Sequence, residues 1–195
     1  LERLLEIYDL KDEKRTGWEL RNIRDPESVA DHSWGVAFLS LSYMPEQLNT
    51  EKVLKLAIVH DVAEAEVGDI AKRAVDAETE ISEEEKHRLE EKAARKYSGE
   101  LDAFIEENWR DYDERKTSEA KFVKDMDLID MCLQALKYEK QSRYDPEEEN
   151  EYFQKFDNLD EFFATTEPRL NTDTGEKLFR EIKGGMGKSG PPSSA

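Results

Sequence analysis

The sequence has little cysteine, too few basic residues to balance its acidic ones, and no long hydrophobic run. Its 195 residues include one cysteine, Cys132. A single cysteine cannot form an internal disulfide, which excludes a disulfide-stapled secreted scaffold and fits a reducing cytosol. No segment approaches the roughly 20 consecutive apolar residues that span a bilayer, and the first residues lack the order of a signal peptide. We therefore expect a cytoplasmic protein with no membrane partner.

The charge of the chain is strongly negative. It carries 47 acidic and 29 basic residues, a formal net charge of -18. Such a protein repels phosphate backbones, so we expect no nucleic acid polymer as a partner. A small anionic ligand remains compatible with this charge, because a bound cation or a local arginine can reverse the field inside one pocket.

The pattern of apolar and polar residues indicates an all-α protein. We find neither alternating strand patterns nor hairpin turn signals. The length fits one domain, expected over residues 1–183, and the Gly/Pro/Ser-rich residues 184–195 predict a flexible tail. Helices are predicted from Leu1 to Leu10, from Asp25-Pro26 to Pro45, from Asn49 or Thr50 to Gly68, from Ser82 to Gly99, from Leu101 to Trp109, from Thr117 or Ser118 through Leu136, and in two pieces up to Ile182.

Ionisable residues interrupt the apolar third helix, whose residues 58–64 read Ile-Val-His-Asp-Val-Ala-Glu. Ionisable groups among apolar neighbours are costly unless they are paired, hydrogen-bonded or bound to a metal. Helical spacing directs His60, Asp61 and Glu64 toward one side of the helix. Imidazole and carboxylate together suit a divalent first-row metal, so the stretch is a candidate metal site.

A protein-bound metal needs further donors, and two readings of the stretch are open. His32 and the aspartates of the helix over residues 122–136 offer such donors, because these helices can pack together in a bundle. In the other reading, His60 is a hydrogen-bonded core histidine and Asp61 a local cap. A His-Asp pair taken alone favours that second reading, since short motifs match often by chance.

The order of motifs along the chain changes this balance. The motifs are Glu27-Ser28-Val29-Ala30-Asp31-His32, His60-Asp61-Val62-Ala63-Glu64, Gly68-Asp69-Ile70 and Phe122-Val123-Lys124-Asp125-Met126-Asp127. This order resembles that of the HD-domain metal-dependent phosphohydrolases, in particular their 5'-deoxynucleotidase branch, over about residues 1–140. The resemblance implies a helical bundle around one divalent cation, which would be cobalt, manganese, zinc, nickel or magnesium. The ligands that it implies are His32, His60, Asp61 and Asp127.

The resemblance also implies the groups that act on the substrate. In the family, a glutamate and an aspartate at the positions of Glu64 and Asp69 serve the catalytic water and the substrate. Which of the two is the general base stays open. The segment that lies over the nucleotide corresponds to Arg15 and Trp18, which would contact phosphate and sugar. Some members have Arg-Trp there, whereas this chain has Gly17 before Trp18.

Periodicity and resemblance disagree about the last ligand. On a helical wheel, Asp125 lies between Cys132 and Leu136 on an apolar stripe, whereas Asp127 lies near Val123 and Met131. Periodicity therefore slightly favours Asp125 as the residue that faces the interior. The family register places the ligand three residues after Lys124, at Asp127, and we follow it because a ligand faces a polar cleft.

The expected activity is hydrolysis of deoxyribonucleoside 5'-monophosphates to deoxynucleoside and phosphate. Another HD-type activity on a cyclic nucleotide, a triphosphate or a different phosphoester is the main alternative. A non-catalytic acidic module with a structural metal is a further alternative. Some members of the family form homodimers, so we expect a homodimer. The aromatic residues that could form its interface, or could equally cover the core, are Tyr152, Phe153, Phe156, Phe162 and Phe163.

Overall fold

The fold consists of α-helices packed around one long central helix. The computed structural model describes residues 1–70, 82–145 and 159–186. These ranges contain no β-strand, which confirms the predicted all-α class. Their α-helices are α1 (Glu2–Tyr8), α2 (Thr16–Glu19), α3 (Val29–Tyr43), α4 (Thr50–Val59), α5 (Glu64–Val67), α6 (Glu83–Glu100), α7 (Phe104–Glu114), α8 (Ser118–Lys140), α9 (Asp160–Thr166) and α10 (Asp173–Met186), with 3₁₀ turns at Asp9–Lys11 and Glu167–Arg169.

The central helix is α8, which packs against α3, α4, α7, α9 and α10. A helix with neighbours on most sides needs apolar residues around most of its surface. Accordingly, Phe122, Met126 and Ile129 are at most 1% exposed. Two buried carboxylates lie among these apolar residues, since Asp125 is 0% and Asp127 is 8% exposed. Each of them therefore needs compensating partners.

Helix α3, which carries His32, begins later than predicted. Its N-cap is Ser28, whose Oγ accepts a hydrogen bond from the Asp31 N–H at 3.1 Å. The Asp31 carboxylate in turn accepts one from the Ser28 N–H at 3.0 Å, completing a capping box. Asp25 has a positive φ of 53°, outside helical geometry. The prediction of a helix start at Asp25-Pro26 is therefore wrong, because the reciprocal cap lies three residues further on.

The third predicted helix is broken at its most unusual stretch. Asn49 caps α4 as predicted, since its side chain accepts a hydrogen bond from the Lys52 N–H at 3.0 Å. The helix ends at Val59, however, residues 60–63 form a turn, and the short α5 follows. The prediction of one continuous helix to Gly68 is wrong, although Gly68, with φ of 79°, does end α5. His60 still donates its N–H to the Leu56 carbonyl, whereas Val62 and Glu64 bond to the residue three positions before them, as in a tighter turn.

Two other boundaries differ from the predictions. The amphipathic segment predicted over Leu101–Trp109 forms α7, which begins at Phe104 and extends to Glu114. Residues 184–186, predicted as the start of a flexible tail, belong to α10, which continues to Met186. The rest of the predicted tail, residues 187–195, lies outside the described residues.

The predicted interface aromatics do not form an exposed patch in the described part of the chain. Phe162 and Phe163 belong to the core, with 7% and 3% exposure. The other three lie outside the described residues, at 152, 153 and 156. On α3, in contrast, Trp34 and Phe38 stack with ring centroids 5.5 Å apart and are 69% and 57% exposed. None of the described helices has the length and apolar character that crossing a membrane requires.

Candidate active site

Three buried side chains from different helices converge on one point. His32 comes from α3, His60 follows the end of α4, and Asp127 lies on α8. The Nε2 atoms of the two histidines are 3.3 Å apart, and Asp127 Oδ1 is 3.1 Å from His32 Nε2. All three donor atoms lie within 4.8 Å of one another. The structure therefore brings together three of the four predicted ligands, in a cluster able to hold a metal ion.

The fourth predicted ligand, Asp61, approaches this cluster from the turn after α4. Its Oδ2 atom is 3.2 Å from His60 Nε2 and 3.8 Å from His32 Nε2. The same oxygen accepts a hydrogen bond from Arg15 Nη1 at 3.1 Å. Burial opposes ionisation of Asp61, but the neighbouring His60 and Arg15 lower its pKa below the usual value. The group is thus an ionised carboxylate beside the cluster.

Hydrogen bonds at the far side of each imidazole fix which nitrogen faces the cluster as an acceptor. His60 Nδ1 lies 2.9 Å from the Ala57 carbonyl oxygen, which can only accept, so Nδ1 carries the proton. His32 Nδ1 lies 2.8 Å from Asp130 Oδ2, with the same consequence. In their neutral forms both rings therefore present the lone pair of Nε2 to the shared point, the orientation of histidine ligands with second-sphere partners.

Two lone pairs that face each other at 3.3 Å require a positive charge between them. Donors bound to one metal at about 2.0–2.2 Å lie roughly 3.0–3.5 Å apart, as several of these do. Without a metal, a proton serves the same purpose. Burial and Arg15 lower the pKa of His32, but hydrogen bonds with Asp127 and Asp130 outweigh them and raise it to about 10. The donor set fits a divalent cation.

The second oxygen of Asp127 is held by two further groups. Tyr112 donates its hydroxyl to Asp127 Oδ2 at 2.5 Å, and Lys124 Nζ donates to the same atom at 2.6 Å. Burial opposes ionisation, but Lys124 and His32 hold the pKa of Asp127 well below its usual range. Burial and the Asp127 charge raise the pKa of Tyr112 well above its usual value, which keeps it a donor. Asp127 is therefore oriented, with Oδ1 left toward the histidines.

Asp125 has a different environment, and its hydrogen-bond partners come from the segment before α10. Its carboxylate accepts hydrogen bonds from the backbone N–H of Asn171 at 2.9 Å and of Thr172 at 2.7 Å. The Thr172 hydroxyl donates to it at 2.6 Å. Asp125 thus holds the segment that leads into α10. Periodicity correctly identified a buried position, but the buried carboxylate there serves the helix connection.

Glu64 is a buried carboxylate at the edge of the cluster. It is 6% exposed, and its Oε2 atom has no hydrogen-bond partner among the described residues. Burial and the negative charges of Asp61 and Asp69 raise its pKa well above the usual value. An unpartnered buried oxygen is costly, and a catalytic role is one explanation for its presence. Glu64 lines a cavity that also exposes Asp61 and Asp127.

Asp69 is fixed across the cavity by the segment that carries Arg15. Its Oδ2 atom accepts a hydrogen bond from the Thr16 N–H at 2.7 Å, and its carbonyl accepts one from the Thr16 hydroxyl at 2.5 Å. Arg15 Nη1 lies 3.9 Å from Asp69 Oδ1. Burial opposes the charge of Arg15, but Asp69 and Asp61 raise its pKa well above the usual value. These contacts join the segment of Arg15 and Thr16 to Asp69, so the residues predicted to act on the substrate lie together.

Trp18 is packed into the wall of the cavity. It is 2% exposed, and its Nε1–H donates to Glu27 Oε1 at 2.8 Å. Its ring contacts Phe162 with centroids 4.2 Å apart and meets Tyr138 edge-on at 5.1 Å. The tryptophan therefore belongs to the core and, at the same time, lines the cavity beside Gly17. Core packing and substrate contact are compatible for this residue.

Sequence reasoning missed several residues of the site. Asp130 lies one helical turn after Asp127, so its proximity follows from i, i+3 spacing once Asp127 is identified. The same spacing relates Lys124 to Asp127. Tyr112 reaches the site from α7, and no local sequence signal indicates this contact. Lys86 of α6 also lines the cavity and donates to the Ile70 carbonyl at 2.7 Å.

The chain is similar in sequence to known proteins. The sequence profile of the HD domain matches residues 7–166. A relative from Bos taurus, named 5'-deoxynucleotidase HDDC2, is 41% identical over 137 residues, 68% of this chain and 64% of the relative. A protein of the same name from Danio rerio is 37% identical over 169 residues, 85% of this chain and 76% of the relative. The chain thus spans roughly two-thirds to three-quarters of these two relatives.

A solved structure supports the fold. The PH0347 protein from Pyrococcus horikoshii OT3 superposes with a TM-score of 0.70 and 30% sequence identity. The alignment covers 95% of this chain and 97% of that protein. The similarity therefore extends over nearly the whole chain, including α9 and α10 beyond the motifs.

Proposed function

We propose that this chain, which belongs to the HD domain family, hydrolyses deoxyribonucleoside 5'-monophosphates to deoxynucleoside and phosphate. The observation that carries the proposal is the unpartnered Oε2 of Glu64 beside the cluster of His32, His60 and Asp127. A cation site next to a buried proton acceptor, both on one cavity, suits hydrolysis with an activated water. The names of the relatives support the choice of substrate.

Four residues would hold the cation in this proposal: His32, His60, Asp61 and Asp127. Bound there, a divalent metal supplies Lewis-acid stabilisation of the phosphate charge and activation of water. Asp130 keeps the ring of His32 in the ligating tautomer through their hydrogen bond of 2.8 Å. The metal would be cobalt, manganese, zinc, nickel or magnesium, since imidazole with carboxylate suits several of these ions.

Glu64 and Asp69 have separate roles in the proposed reaction. Glu64 accepts the proton of the attacking water at Oε2, the oxygen that no described residue contacts. Asp69 is held by Thr16 and faces the same cavity, so it positions the substrate and passes the proton that Glu64 takes from water to the departing 5' oxygen, which leaves as a hydroxyl. Asp69, which Thr16 holds in place, thus orients the substrate, and Glu64, whose Oε2 has no described partner, takes the proton from water.

Arg15 and Trp18 complete the substrate site. Arg15 contacts Asp61 through Nη1 and retains further guanidinium donors that suit a phosphate oxygen. Trp18 fills the wall of the cavity with apolar bulk, which disfavours a ribose 2'-hydroxyl because that group would lose its hydrogen bonds to water. The same wall accepts a deoxyribose.

We further propose that the protein is a cytoplasmic homodimer. The predicted aromatics Phe162 and Phe163 are buried within one chain, so they leave the interface to another surface. The exposed stack of Trp34 and Phe38 on α3, continued by the 53%-exposed Leu41, is such a surface. Trp34→Lys should convert the dimer to a monomer in analytical ultracentrifugation. An unchanged mass would contradict this interface.

A phosphate-release assay tests the proposed activity. The protein is stripped with a chelator, reloaded with single divalent metals, and incubated with paired deoxyribo- and ribonucleoside monophosphates. Malachite green then measures free phosphate. We expect release from the deoxy substrates, and none from His60→Ala. No release from any monophosphate with any metal would contradict the proposal, and release only from cyclic nucleotides or triphosphates would favour the other HD-type activities.

A further inference from the structure

The cavity poses an electrostatic problem for a phosphate group. Its walls include the carboxylates of Asp61, Glu64, Asp69, Asp127 and Glu161. A phosphate dianion is repelled by these charges, so a binding site for it needs cations beyond the metal. The described basic residues that line the cavity are Arg15, Lys86, Lys124 and Arg169. These four residues differ in whether a carboxylate already pairs with them.

Three of these cations are already engaged by carboxylates. Arg15 contacts Asp61 at 3.1 Å, and Lys124 contacts Asp127 at 2.6 Å. Lys86 Nζ lies 3.3 Å from a carboxylate oxygen of its own helix, in Glu90. Each of these cations therefore has part of its charge neutralised before a substrate arrives.

Arg169 differs from the other three. It is the last residue of the 3₁₀ turn after α9, and it is partly buried. Its guanidinium makes no hydrogen bond or ion pair with any described residue. A guanidinium without a counter-ion offers its five N–H donors to a ligand, and its planar fork matches phosphate oxygens.

The position of Arg169 relates it to the reacting centre. A second cavity, which reaches His60 and Tyr112, shares five lining residues with the first. The shared residues are Asp61, Glu64, Lys86, Lys124 and Arg169. The first cavity has an apolar side with Trp18 and Met131, which suits a nucleoside. A nucleotide with its nucleoside on that side would bring its phosphoryl group to the shared wall, which Glu64 and Arg169 both line.

The backbone of Arg169 is held in place by the buried carboxylate of α8. Asn171 Nδ2 donates to the Arg169 carbonyl at 2.8 Å and to Asp125 Oδ1 at 3.1 Å. The backbone N–H groups of Asn171 and Thr172 also donate to Asp125. Asp125 thus fixes the turn that presents Arg169, two residues before Asp127 on the same helix. These contacts fix the backbone from which the Arg169 side chain reaches the cavity wall.

We infer that Arg169 binds the phosphoryl group of the substrate, donating guanidinium N–H groups to its non-bridging oxygens at the wall shared by the two cavities. The inference rests on the proposed phosphomonoesterase function for the identity of the substrate. Arg169 is a binding residue on the side of the cavity formed by α9 and the following turn. Arg15 contacts the substrate from the side formed by α2.

Binding of two product fragments tests this role separately from catalysis. Isothermal titration calorimetry on the metal-loaded protein measures dissociation constants for inorganic phosphate and for a deoxynucleoside. Arg169→Met should raise the constant for phosphate by about 10- to 100-fold, the usual weight of a charge-assisted hydrogen bond. The deoxynucleoside constant should stay unchanged. Arg169→Lys should give an intermediate loss, since it keeps the charge and loses the fork.

The matched control is Arg180→Met on α10, where the arginine is 68% exposed and pairs with Glu176. It should change neither constant. Unchanged phosphate binding in Arg169→Met would overturn the inference, as would an equal weakening of both ligands or a loss confined to the deoxynucleoside. If the wild-type protein releases no phosphate from nucleotides, the proposed function fails, while phosphate binding still decides the role of Arg169.

Discussion

The Nδ1 atom of His32 lies 2.8 Å from Oδ2 of Asp130, a residue 98 positions further along the chain. This hydrogen bond turns Nε2 of the histidine toward His60 and Asp127. Contacts of this kind tune the orientation and basicity of a ligating ring. The site therefore depends on a residue that is outside the four proposed ligands.

Replacement of Asp130 should weaken metal binding while all four proposed ligands remain. Asp130→Ala leaves His32 Nδ1 without its acceptor, and the metal dissociation constant should rise about 10- to 100-fold. Competition with a chromophoric chelator measures this constant. Glu114→Gln, which neutralises an exposed carboxylate paired with Lys116, is the control and should have no effect. Equal affinities in Asp130→Ala and wild type would contradict the role of Asp130.

Gly35 should be required because of its contact with Asp130. A Cβ atom at Gly35 would lie 2.8 Å from Asp130 Cγ, too close for the carboxylate to stay where it binds His32. Gly→Ala inside a helix ordinarily stabilises the fold by roughly 0.8–1 kcal/mol. A loss of metal affinity in Gly35→Ala would therefore come from this crowding and not from a weaker helix. We expect Gly35→Ala to weaken metal binding as Asp130→Ala does, measured by the same competition. Unaltered metal binding would show that the carboxylate has room to move.

Asp125 and Asp127 should separate stability from metal binding. Asp127→Ala removes a proposed ligand, and metal content after dialysis should fall to background. Asp125→Ala leaves the N–H groups of Asn171 and Thr172 without their acceptor, which should lower the free energy of unfolding by about 1–3 kcal/mol. Metal content and chemical denaturation measure the two effects. Retained metal in Asp127→Ala would refute its assignment, and full stability in Asp125→Ala would refute the structural role.

Glu64→Gln should lower activity and raise stability together. The amide cannot accept a proton from water, so kcat should fall about 10²- to 10⁴-fold, with metal content unchanged. Because burial and the charges of Asp61 and Asp69 raise the pKa of Glu64, the uncharged glutamine should raise the melting temperature at a pH above that pKa, by about 2–4 °C per kcal/mol gained. Steady-state kinetics and calorimetry test both parts. A variant with full activity would exclude Glu64 as the general base.

The sequence alone determined the fold class and pointed to most of the candidate residues that the structure brings together. Helical periodicity and caps such as Asn49 are local properties, because they depend on residues three or four positions apart. The histidine and aspartate motifs are also local, and their order along the chain carried the resemblance to the HD-domain phosphohydrolases. These features could be predicted because neighbours in sequence are sufficient to define them.

Only the tertiary structure decided which buried carboxylate faces the histidines. Asp125 and Asp127 are both buried on one helix, and periodicity within that helix favours the wrong one. Their roles differ because α8 has neighbours on most sides: Asp127 faces His32 of α3 and Tyr112 of α7, whereas Asp125 meets Asn171 before α10. The chemistry of each carboxylate thus depends on which distant segment packs against it, and a pattern read along one helix contains no record of that partner.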